Sequence, residues 1–130
     1  MTMNRLLTLA AGIEALAGLG LLLVPSAVVW LLLGGELAGV GIALGRVAGV
    51  ALLALAVACW LARDDAQSGA ARGLVAAMLL YNVGVIVVLG TVGIRSQPAG
   101  VALWPTVVVH LAMTVWCLAG LLGTPAKAAA

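Results

Sequence analysis

The chain has 130 residues, 65% of them hydrophobic and 8% charged, with a mean hydropathy of +1.30. About a quarter of the residues of a soluble domain are charged, so there is too little polar surface here to cover a water-soluble globule, and lipid is the natural solvent. The formal net charge of +2 is scattered over single residues with no basic run, which excludes nucleic acid as a partner.

A bilayer is crossed by about 20 apolar residues in a helix. Residues 15–35, 73–94 and 96–126 contain no Asp, Glu, Lys or Arg, and residues 37–62 contain only Arg46. These gaps predict an all-α integral membrane four-helix bundle, a single domain over 1–130. Its spans lie near 5–24, 40–62, 73–94 and 102–123, with a short polar connection at 63–72.

At the start, Arg5 followed by an apolar run at 6–11 resembles the opening of a signal peptide. Glu14 interrupts that run and no small-x-small cleavage site follows, so the segment is read as a retained first span. Pro25 then offers two registers. Proline removes a backbone donor and clashes with the preceding turn. The helix therefore ends near residue 24, and 26–33 forms a short interfacial or re-entrant piece with Trp30 at headgroup depth. The other register runs a kinked helix from 13 to 33. The first is preferred, because Gly34, Gly35, Glu36 and Gly39 then belong to one connection.

The second span carries Gly41, Gly45 and Gly49 four residues apart, a smooth stripe that permits close helix packing, within this bundle or between copies of the chain. It also carries Arg46. An ionisable residue inside a span is costly and usually faces the bundle interior. At ~1.5 Å of rise per residue, Arg46 lies roughly 10 Å and Glu14 roughly 15 Å below the same face. A Glu14–Arg46 ion pair is the expectation.

The third span adds Asn82, beside Tyr81. The fourth adds His110, which shares a helical face with Thr106, Thr114 and Cys117. Ala10, Glu14 and Gly18 make a matching face on the first span. Each span thus offers one strongly polar residue at similar depth: Glu14, Arg46, Asn82 and His110. As a structural device this would be interhelical hydrogen bonding. As a site it would bind a ligand or handle protons. Cys59 and Cys117 lack metal or redox spacing and read as buried free thiols. No metal site is expected, no cofactor is specified, and the GxSxG, P-loop and HExxH signatures are absent.

Orientation follows the positive residues. Arg5, Arg63, Arg72 and Lys127 fall on one side of four alternating spans and Arg95 on the other. The positive-inside rule then places both termini in the cytoplasm. Trp60 and Trp104 sit near span ends, and the tail from Thr124 onward reads as frayed.

Residues 12–25 (GIEALAGLGLLLVP), 45–53 (GRVAGVALL) and 60–63 (WLAR) resemble the DoxX-like superfamily of small four-helix bacterial membrane proteins. The resemblance covers about the first half of the chain. It implies a four-helix bundle in the bacterial cytoplasmic (inner) membrane with both termini inside. Some relatives are tied to quinone-linked sulfur oxidation or to membrane redox complexes, and only Arg46 and Gly49 match positionally. Glu14 also resembles, in placement, the membrane-embedded glutamate of small multidrug exporters, but a nearby Arg46 would repel their cationic substrates.

The leading expectation is a bundle that binds an apolar or weakly anionic ligand, quinone- or lipid-like, through Glu14, Arg46, Asn82 and His110, or that serves as accessory subunit of a membrane redox complex. A proton-coupled transporter using Glu14 is the second, and a membrane enzyme with His110 and Glu14 as acid and base the third. Expected partners are the lipid bilayer and either further copies of the chain or a larger membrane complex.

Overall fold

The computed structural model describes residues 3–95 and 99–123. Lys127 and the tail expected to be frayed lie outside the described residues. The described residues fold as five α-helices: α1 (Met3–Leu23), α2 (Pro25–Leu33), α3 (Val40–Ala62), α4 (Gly69–Arg95) and α5 (Leu103–Gly123). α1, α4 and α5, and α3 with its one-turn 3-10 extension Arg63–Asp65, are long and apolar enough to cross a membrane, with mean hydropathy 1.9–2.2.

The boundaries follow local chemistry. The chain breaks at Val24 (φ −134°, ψ 55°), and Pro25 opens α2 at a position whose amide would have no intrahelical partner anyway. Gly34 closes α2 in the left-handed conformation (φ 70°), its amide bonded 2.9 Å to the Trp30 carbonyl. Gly39, also at positive φ (55°), turns the chain into α3. Ser68 caps α4, its hydroxyl accepting the Ala71 amide at 3.1 Å. Three hydroxyls inside the long helices donate to their own backbone, Thr8 to Asn4, Thr91 to Val87 and Thr114 to His110, so these are met even in an apolar surround.

α1 and α3 form one antiparallel hairpin, and α4 and α5 the other. The first is set by two glycines. A Cβ on Gly18 would stand 2.9 Å from the Gly49 carbonyl oxygen, and a Cβ on Gly49 2.7 Å from the Gly18 oxygen. Only glycine permits that backbone approach. About four turns away, the Asn4 amide donates to the Arg63 carbonyl at 2.9 Å, in the same register. In the second hairpin Arg72 donates to the Leu121 carbonyl at 3.1 Å, and Gly93 packs against Leu103 and Trp104.

α2 fills the space between the hairpins at the end opposite Arg63. Pro25 is buried and packs on Gly45. The Leu31 carbonyl, one of the four that a helix C-terminus leaves unpaired, accepts the Ala102 amide at 2.9 Å just ahead of α5. Of the expected glycine stripe, Gly49 meets α1, Gly45 meets Pro25, and Gly41 meets the Leu37 side chain.

Candidate functional site

Taken along the helices, the interior is layered. From the Arg63 end, Leu6, Leu7, Cys59, Val75, Met78 and Cys117 make a fully buried apolar core. That core ends at a polar layer. Glu14, Asn82 and His110, at 2%, 1% and 8% exposure, are the buried polar side chains among the described residues. Beyond this layer the helices part around a cavity of about 470 Å³. Leu21, Val28, Leu52 and Val85 are among its apolar walls, and Tyr81 and His110 form its floor at the polar layer. This volume lies within the range of small-molecule pockets, as does the pattern of apolar walls with few polar groups.

The floor is built from three helices. Glu14 sits one turn before Gly18 on α1, so the close α1–α3 contact holds it inside. Its carboxyl lies within electrostatic reach of the Tyr81 hydroxyl on α4, which comes from the other hairpin. The Tyr81 ring lies 5.9 Å from the His110 ring on α5, tilted by 59°. His110 Nδ1 is 2.8 Å from the Thr106 carbonyl, one turn back on its own helix. A carbonyl only accepts, so Nδ1 carries a proton, and in the tautomer this bond selects Nε2 is an acceptor. Thr106 itself lines the cavity.

Asn82 plays a different part. Its side-chain amide donates to the Met78 carbonyl at 2.7 Å, within α4, and it lies beside the cavity lining rather than in it. Cys59 and Cys117 are free thiols with no exposure. Among the described residues no group of three or more His, Cys, Asp or Glu side chains could hold a metal ion.

The expected Glu14–Arg46 ion pair does not form. Arg46 is exposed, and Arg63–Asp64, at 3.4 Å, is the ion pair among the described residues. The reason is register. With Gly18 opposite Gly49, Arg46 stands level with Leu21, about two turns or ~10 Å from Glu14. Counting depth from the helix ends treated Val24 and Val40 as level, whereas α3 starts about a turn beyond the end of α1. Arg46 also lies about 100° around α3 from Gly45, which faces inward.

Tyr81 is the floor residue that the sequence did not single out. It is the only tyrosine of a chain with no phenylalanine, and it sits beside Asn82. A lone phenol in mid-span needs a partner for its hydroxyl, and that was the available signal.

Compared with protein-family models, curated protein sequences and solved structures, the chain shows no match. The class is therefore defined by the fold: an all-helical chain with four helices long and apolar enough to span a membrane, and a polar-floored cavity between them.

Proposed function

We propose that this is a four-span protein of the bacterial cytoplasmic membrane, both termini cytoplasmic, that holds an apolar, lipid- or quinone-like ligand between its two hairpins. The observation that carries the reading is the cavity itself, apolar in its walls and polar at one end, with His110 and Tyr81 as its floor. Such a cavity suits a molecule with a long apolar body and a small hydrogen-bonding head.

The membrane setting is supported by the surface. Leu16, Leu80, Ile94 and Leu122 are 75–85% exposed, as unsuited to water as they are suited to acyl chains. The DoxX-like resemblance points the same way. Arg46, set apart from the cavity, offers no cation to an anionic head there, so the neutral ligand is favoured over the weakly anionic one.

Native mass spectrometry of the protein extracted gently from its own membranes tests this. The expected result is a retained small molecule that is lost in Tyr81→Phe with His110→Leu and kept in Arg46→Ala. A larger heteromeric assembly without bound ligand would move the reading to an accessory subunit of a membrane complex. A bare protein that moves substrate across liposomes would replace it with Glu14-dependent transport.

A further inference from the structure

We propose that the cavity takes a hydroxyl-bearing lipid, whose hydroxyl donates to His110 Nε2 and whose tail leaves sideways between α3 and α4 past Gly84. This rests on the ligand-binding reading above and gives it a ligand class and a route.

The head chemistry follows from what the floor lacks. His110 is 8% exposed and lines the cavity, with Nδ1 committed to the Thr106 carbonyl. Nε2, on the far side of the ring, has no hydrogen-bond partner among the described residues. Nε2 is not sealed within protein but opens on the cavity, where an apolar lining offers it no donor. Tyr81 does not supply that donor: its ring is tilted 5.9 Å from the His110 ring with no hydrogen bond between them, and its hydroxyl lies toward the Glu14 carboxyl, which attracts its proton. The Thr106 hydroxyl rotates freely between donating and accepting and does not discriminate. The floor therefore presents acceptors. An alcohol or phenol meets them, while a ketone or ether leaves Nε2 unmet.

The route follows from the wall. Gly84 and Val88 line the cavity, yet both are exposed on the surface of α4, Val88 at 61%. A Cβ built on Gly84 would meet nothing within 4 Å. Across the gap stands Leu52 of α3, only half-buried. The cavity thus opens on the flank of the bundle, where acyl chains would lie, with its polar groups at the far end. A tailed molecule fits this arrangement head first.

The test uses the full chain in detergent micelles with two probes of one shape, 4-dodecylphenol and its methyl ether, read by native mass spectrometry and equilibrium titration. The phenol is expected to bind about tenfold more tightly, the equivalent of one good hydrogen bond. His110→Phe, which keeps a ring against Tyr81, should erase the preference. Equal binding of the two probes by the unmodified protein overturns the donor assignment without recourse to any variant. Binding of neither overturns the ligand-binding reading itself. A third probe, 1-hexadecanol, separates sources: binding like the phenol assigns aliphatic lipid alcohols, and binding like the ether assigns phenols. Gly84→Leu, which has room to fold, should slow phenol uptake severalfold, and unchanged uptake overturns the lateral route.

Discussion

The Glu14 carboxyl lies near a tyrosine from the other hairpin and makes no ion pair with the arginine nearest to it in depth. The distinction is measurable. Glu14→Gln and Tyr81→Phe should be coupled by about 1 kcal/mol in a double-mutant cycle, within the range found for interhelical hydrogen bonds in membranes. Glu14→Ala and Arg46→Ala should instead add with no coupling, since about two helical turns separate them. Reversible unfolding in mixed micelles gives both numbers. A strong Glu14–Arg46 coupling would place the arginine inside the bundle and displace Tyr81 from its role. The sequence made Glu14, Asn82 and His110 legible as interior residues because each is a polar group alone in a long apolar run. It misplaced Arg46 for a physical reason: a long cationic side chain near a helix end can reach toward the interface, so its position in the run does not fix where its charge sits.

The hairpin of α1 and α3 depends on which glycine meets which. Four-residue spacing on α3 gave three equivalent candidates, and nothing in the sequence says that Gly49 is the one opposed to Gly18. That single pairing sets the register of the first hairpin and thereby the depth of Glu14. Helix ends were easier to read, because Pro25, Gly34, Gly39 and Ser68 act through local backbone geometry. The helix indeed breaks before Pro25 and does not kink through it. Gly49→Leu should therefore destabilise by about 3 kcal/mol or more, because the new side chain would have to displace the α1 backbone. Gly12→Ala, on the same pair of helices but with nothing within 4 Å of a Cβ, should be neutral or stabilising by about 0.5–1 kcal/mol through helix propensity. Thermal unfolding in one detergent ranks the two. Equal costs would mean that close approach at Gly18 and Gly49 is not what holds the hairpin.

At the scale of the whole molecule, charge and shape together define the proposed orientation. Arg5, Arg63 and Arg72 gather at one end of the long helices, while Arg95 lies at the α2 end with Arg46 about two turns inside it. Positive side chains are retained on the cytoplasmic side during insertion, so the proposed orientation sets the Arg63 end toward the cytoplasm and the α2 end away from it. In that orientation the cavity would open in the half of the bilayer remote from the cytoplasm, because its walls lie between the polar layer and α2. Two exposed positions at opposite ends report on this, Glu36 in the α2–α3 connection and Gln67 before α4. In cells expressing Glu36→Cys, a membrane-impermeant maleimide should label the protein without lysis. Gln67→Cys should be labelled only after the membrane is opened. The native Cys59 and Cys117 are fully buried and contribute little background. Reversed labelling would turn the molecule over and move the cavity to the cytoplasmic half. Labelling of both positions from one side would break the alternation of four spans, and with it the argument that a lipid reaches His110 through the flank of the bundle.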